Sequence, residues 1–329
     1  MDHHDWKAEA ANALRQPNYS PRKIVLIHTG AVAALSVLLS LLSLLMGKVA
    51  NNAGGGLSNM GTQAMIASVQ AFLPMLVVLV QPFWNVGIQQ AALHYSDNRS
   101  VAPRDLLGGF FRWKPIITSS LMLTVVYMGR VFIASFLSGQ IVAFTPFANV
   151  ILDAAEAQMN NPELDLFALM GDQLIPFMLT YGLIFAGLLV AFGLPVHYRY
   201  RFVNYLLLEQ PGMGGMQAMF ISRAMTQGRR KALFKLDLSF WWFYLAELLI
   251  AALCYGDLIL ELMGMKLPLS ATASSWLFLL ISLVAQLALH WFAKPALEVS
   301  WAKAFRDISA TPIIMPMGQR DVVDADQSE

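Results

Sequence analysis

Val196–Leu245 reads VHYRYRFVNYLLLEQPGMGGMQAMFISRAMTQGRRKALFKLDLSFWWFYL. An apolar stretch runs into it from Ile175, and another leaves it through Trp241 and Trp242. Between them stand Arg199, Arg201, Arg223, Arg229, Arg230, Lys231 and Lys235. Gly212, Gly214 and Gly215 break the chain ahead of Met216–Gln227. At helical spacing that segment puts Met216, Met219, Phe220 and Met225 on one arc, with Gln217, Arg223 and Gln227 elsewhere. A short, basic, half-apolar helix between two long apolar runs is the pattern of a chain re-entering a membrane from the cytoplasm.

The rest of the chain agrees. Of 329 residues, 57% are hydrophobic and 13% charged, with a mean hydropathy of +0.55. A soluble domain carries about 25% charged residues, so a water-facing surface of this size would lack charge. One cysteine, Cys254, excludes an internal disulfide framework and any multi-cysteine metal site. Its setting, AALCYG, reads as a small buried hydrophobe.

A membrane span needs about 20 apolar residues. Six stretches qualify: Ile24–Met46, Ala64–Leu93 (with Pro74 and Pro82), Ile116–Leu137, Leu174–Pro195 extending to Leu208, Leu236–Leu258, and Ser274–Phe292 extending to about Phe305. Lys and Arg favour cytoplasmic connections. All but Lys48, Arg130 and Lys266 of the 22 fall in alternate connections: the N-terminal segment, the second-to-third loop, the fourth-to-fifth loop and the C-terminal segment. The other loops are Gly/Asn-rich, acidic or short. The expectation is an all-α membrane protein with six spans and both termini inside, in the plasma membrane. Residues 1–23 form a cytoplasmic interfacial helix, residues 24–308 the six-span domain, and residues 309–329 a disordered cytoplasmic tail. A further interfacial helix is expected near Asn149–Met159.

Trp84–Leu123 and Phe202–Phe240 share a layout of span, polar break, short helix, basic cluster and span. Duplication of a helix pair would give this, and so would similar constraints on any inner hairpin.

The residues also resemble a known bacterial family. Glu209, Pro211, Ala218, Ser222, Arg223, Gly228, Leu233, Phe234, Leu236, Leu238, Ser239, Phe240 and Trp242 follow its pattern. That pattern is a Glu-x-Pro break, a short helix, a Gly-basic turn, and Leu-Phe-x-Leu-x-Leu-Ser-Phe-x-x-Trp. NVGIQQAALHYSDNRSVAPRDLLGGF and KPALEVSWAKAF resemble its earlier hairpin and closing segment. The resemblance is to domain-of-unknown-function family 975, integral-membrane proteins common in Firmicutes, and it covers most of Trp84–Arg306. There is a distant likeness to the membrane domains of glycerophosphodiester phosphodiesterases. The chain departs from the family at Gly193-Leu194-Pro195-Val196, where Ile-Pro-Gly is usual. The resemblance implies a fold and a location.

Charges inside spans are the first candidates for chemistry, since each costs several kcal/mol unless it is paired or hydrated. Arg130 and Glu247 fall at similar depth and are expected to pair. The pair fixes helix register or forms a substrate or proton site; alternatively, Arg130 snorkels to the interface. Asp237 is expected to neutralise Arg230 or Lys231. The cluster of Arg223, Arg229, Arg230, Lys231 and Lys235 suits topogenic charge or anionic lipid headgroups. Six histidines include no His-x-x-x-His or His-Glu-x-x-His. No metal site, cofactor, catalytic residues or nucleic-acid partner is expected, and the expected partners are membrane lipids and a membrane protein. The functional expectation is a non-enzymatic membrane scaffold or accessory subunit contacting lipid or an export system. The alternative is a small-solute transporter or channel around Arg130 and Glu247, with Gln286 and His290 lining its cavity.

Overall fold

The computed structural model describes residues 3–15, 20–52, 80–161, 171–256, 260 and 271–311. Among these there is no strand. The helices longer than five residues are α1 (His3–Ala13), α2 (Pro21–Asn52), α3 (residues 80–96), α4 (Trp113–Ala143), α5 (Phe147–Asn160), α6 (Leu174–Arg199), α7 (Val203–Glu209), α8 (Gly215–Met225), α9 (Arg230–Leu238), α10 (Trp241–Cys254) and α11 (Ala271–Ser309). Four stretches are long and apolar enough to cross a membrane: Pro21–Leu39, Trp113–Ala143, Gly171–Glu209 and Ala273–Ser309. There are five if the bent pair α9–α10 counts as one span. The chain is therefore an all-helical, multi-pass membrane protein. Most of the expected second span, Ala64–Leu93, and the tail beyond residue 311 lie outside the described residues.

Two compact units divide the chain, residues 1–118 with 202–329, and residues 119–201. The first is organised on α11, which packs against α10, α2 and α1. At about 1.5 Å per residue its 39 residues reach about 58 Å, roughly twice a ~30 Å hydrocarbon core. Pro295 sits inside this helix without ending it. Up to Phe292 the helix exposes Leu280, Ile281, Val284 and Phe292. From Ala293 it buries Leu297, Trp301, Ala302, Phe305 and Ile308.

That buried half forms an aromatic cluster. Phe202 stands edge-on to Trp301, with centroids 6.2 Å apart, and Tyr205 stacks on Phe305 at 5.3 Å. Polar clamps ring it. Arg306 Nε donates to Asp97 Oδ1 at 2.8 Å, and the same guanidinium also pairs with Glu209. Trp6 Nε1 donates to Asp307 Oδ2 at 3.1 Å, and Lys303 pairs with Glu9 at 3.6 Å. The expected N-terminal helix is present, but its apolar edge of Trp6, Ala10 and Ala13 is covered by protein rather than left for lipid.

The expected fifth span is broken, with α9 and α10 bent by 61°. Ser239 ends α9: its N–H reaches the carbonyls of Lys235 and Leu236, and its Oγ donates to Leu236 at 2.6 Å. A hydroxyl that bonds back to the preceding turn gives the backbone an alternative to continuing the helix. Asp237 sits at the corner and accepts from Trp301 Nε1 (3.1 Å) and Tyr244 Oη (2.7 Å), so it holds α9, α10 and α11 together.

The short helix α8 forms where expected, and the face it buries is set mainly by small residues. Gly215, Ala218, Ser222 and Met225 are inside, while Met216 and Phe220 are half exposed. Small residues let α8 come close to α7, and the Phe202 N–H donates to Ser222 Oγ at 3.2 Å. Gly228, at φ +80°, then turns the chain into α9. Across the two inner hairpins the Arg112 guanidinium donates to the Leu207 carbonyl. A methyl on Gly109 would overlap the backbone of Phe83, and one on Gly87 that of Leu106.

In the second unit Ala134 and Ser138 are buried and Ser135 Oγ lies 3.1 Å from Tyr181 Oη. Phe147, Phe177, Tyr181 and Phe185 form a run of ring contacts. Most other apolar side chains of α4 and α6, such as Val125, Phe132, Leu183 and Val190, are exposed. The short helix expected near Asn149–Met159 is α5.

Candidate functional site

A cavity of about 630 Å³ lies within the first unit, walled by α2, α3, α10 and α11. Helical spacing explains which side chains reach it. On α11, Ser282, Gln286, His290 and Lys294 recur every four residues and all line it. On α10, Glu247, Ala251 and Cys254 share one face, and α2 offers His28, Thr29, Val32 and Ser36. Gln81 and Asn85 come from α3. The polar column on α11 is about 18 Å long by helix rise, so it runs through much of a membrane's apolar depth.

The centre of the cavity is a three-residue chain. His290 Nε2 lies 2.8 Å from Glu247 Oε1, and His290 Nδ1 lies 2.8 Å from Thr29 Oγ1. With Nε2 protonated, the imidazole donates to the carboxylate and accepts from the Thr29 hydroxyl. The ring is itself held, stacked on Phe243 at 6.0 Å and almost wholly buried. Acid and imidazole can pass one proton between them without leaving hydrogen-bond distance. The arrangement is the reverse of a hydrolytic triad, in which the nucleophile's hydroxyl faces Nε2 and the acid faces Nδ1. It suits proton holding more than nucleophilic attack.

Two further groups complete the site. His28 is 3% exposed, and neither of its ring nitrogens has a hydrogen-bond partner among the described residues. Its backbone carbonyl accepts from Trp84 Nε1 at 3.0 Å, which ties α2 to α3. Cys254 is exposed on the cavity wall, and its Sγ donates to Ser282 Oγ at 3.0 Å. This corrects the reading of Cys254 as a buried hydrophobe: the apolar run around it is a helix with one face turned to a polar cavity.

Among the residues expected to carry chemistry, Glu247, Gln286 and His290 come together here. Arg130 lies on α4 in the second unit. The expected Arg130–Glu247 pair is a relation between the two units and stays an expectation; within its own unit the acid is bonded to His290. Thr29, His28 and Lys294 were not singled out by sequence. The four-residue recurrence of Ser282, Gln286, His290 and Lys294 is the signal that would have found Lys294.

The basic cluster occupies a different place. Arg223, Lys231 and Lys235 are exposed, and Arg229 Nη2 donates to Thr311 Oγ1 at 3.0 Å. Beside them Phe220, Phe234, Leu238 and Trp241 are exposed as well. Among the described residues no three or more His, Cys, Asp or Glu side chains are gathered so as to hold a metal ion. Comparison with protein-family models found none that matches the chain, and comparisons with curated proteins and with solved structures likewise returned no match.

Proposed function

We propose that this chain is a small-solute transporter of the bacterial plasma membrane, with six spans, both termini cytoplasmic, and its polar site at Glu247 and His290. The observation that carries the reading is the Thr29–His290–Glu247 chain lining a cavity of about 630 Å³, two of whose walls, α2 and α11, contain stretches long and apolar enough to cross a membrane. A scaffold has no need of such a site, because an intramembrane carboxylate and imidazole are costly to keep. Ligand sites of this size, with apolar walls and a few converging polar groups, are the usual form of small-molecule pockets. The basic face of Arg223, Arg229, Arg230, Lys231 and Lys235 is read as a contact for anionic lipid headgroups, supported by the exposed Phe234, Leu238 and Trp241 beside it.

Purified protein reconstituted into liposomes containing a pH-sensitive dye tests the transport reading. A mixture of amino and organic acids added outside drives a pH change in vesicles that hold the wild type. Glu247→Gln and His290→Gln each cut that flux at least tenfold without loss of folded yield. Wild-type vesicles that behave like empty ones would return the chain to the scaffold class.

A further inference from the structure

We propose that the Lys294 end of this cavity is a carboxylate subsite, so that the solute is a small organic monoanion with an apolar body. The proposal rests on the transporter reading of the same cavity. Lys294 lies one helical turn beyond His290 on the same face of α11 and lines the cavity with it. It is half-buried, and no hydrogen bond or ion pair to it occurs among the described residues. Glu247, the only acid in the lining among the described residues, is bonded to His290. An ammonium held partly out of water is stabilised by a counter-charge, and among the described residues none lies within ion-pair distance of Lys294.

His28 strengthens the case. It lines the same cavity, is 3% exposed, and has no hydrogen-bond partner for either ring nitrogen among the described residues. A buried imidazole in that state has an unmet hydrogen bond to offer. Next to an unmatched cation, a carboxylate satisfies both groups at once.

The body of the ligand follows from the remaining walls. Val32, Val37, Ile250, Leu279 and Leu283 are apolar, which favours a hydrocarbon or aromatic portion. Ser282, Gln286 and Cys254 continue the polar column on the side away from Lys294. A ligand of this chemistry has two sources: a water-soluble organic acid, or a fatty acid entering from the bilayer.

The test is equilibrium binding of radiolabelled monocarboxylates to the full chain in nanodiscs at pH 7. The probes run from acetate and benzoate to laurate, with benzylamine as a cation of benzoate's size. The expected result is saturable binding of at least one carboxylate, at least tenfold tighter than any benzylamine binding. Lys294→Gln weakens it at least tenfold, while Lys294→Arg stays within about threefold and both variants keep the wild-type unfolding midpoint. Saturation by benzoate identifies a water-soluble acid, and saturation by laurate alone a membrane-derived one. The proposal is overturned if no carboxylate saturates, if benzylamine binds as well as benzoate, or if Lys294→Gln binds like the wild type. Binding without flux in liposomes would leave the subsite standing and remove the transporter. Flux without carboxylate binding would do the reverse.

Discussion

Residues 271–292 and 293–309 belong to one uninterrupted helix, yet their apolar side chains face opposite environments. In the first half Phe292 is 70% and Val284 66% exposed; in the second, Trp301 and Phe305 are fully buried. Both halves are rich in large apolar groups, so hydropathy does not separate them. What differs is the neighbourhood. The second half meets α1, the aromatic side chains of Phe202 and Tyr205, and Asp237 at the α9–α10 corner. The first half offers its outer face to a surrounding apolar phase and its inner face to a polar cavity. One helix is both a lipid-facing span and the core of a protein-packed layer.

The largest effect should come from Trp301→Ala. It removes a wholly buried side chain and its bond to Asp237, at a cost of about 3–5 kcal/mol. Phe292→Ala, nine residues earlier, should cost about 0.5 kcal/mol or less, as for a side chain outside the packed core. Unfolding midpoints in mild detergent measure both, and equal losses would erase the distinction between the two halves.

The next contrast is between glycines. Gly109→Ala drives a methyl into the Phe83 backbone and should cost about 1–3 kcal/mol. Gly187→Ala on α6 meets open space and should be neutral or gain up to about 1 kcal/mol from helix propensity. The same melts report both.

Arg306→Met should cost about 1–3 kcal/mol by leaving Glu209 without its cation and Asp97 with only the exposed Arg99, an amount tempered by partial exposure. Adding Asp97→Asn to that variant should recover part of the loss. A double variant as damaged as the sum of the singles would mean the clamp is not coupled.

The smallest effect on stability should follow Lys231→Gln with Lys235→Gln. Both side chains are exposed, so folding should be unchanged. Retention of anionic lipid should fall by about 1 kcal/mol per charge removed, read by native mass spectrometry of the gently solubilised protein. Undiminished lipid retention would assign those charges to topology alone.

The elements that hydropathy governs were legible. The runs Ile24–Met46, Ile116–Leu137, Leu174–Pro195 and Ser274–Phe292 all lie in long helices, because a span needs only length and apolar composition. The elements that depend on partners were not. Asp237 was expected to neutralise Arg230 or Lys231; the bonds it accepts from Trp301 and Tyr244, 64 and 7 residues away in sequence, had no signal in that local pattern. The apolar arc of Met216, Met219, Phe220 and Met225 suggested an interfacial helix, and Met216 and Phe220 are indeed half exposed, but nothing in that arc showed that Ala218 and Ser222 would be covered through close approach to α7. Glu247 stood out as a charge inside a span and the cavity reading placed His290 near it, but their direct bond across 43 residues and the part played by Thr29 had no signal in local periodicity. Single sequence periodicity finds a face; it does not find what covers it.

The central claim is that a polar, water-accessible cavity lies among the spans, and the protein carries its own probe. Cys254 is the sole cysteine and is exposed on the cavity wall. Native membrane vesicles should therefore be treated with a charged, water-soluble methanethiosulfonate and, separately, with a lipid-soluble maleimide, and labelling of the chain followed. The account predicts that the charged reagent modifies Cys254 from at least one side of the membrane, and that Cys254→Ser abolishes the signal. Labelling by the lipid-soluble reagent alone would put Cys254 against the bilayer and contradict the cavity on which the transport reading stands.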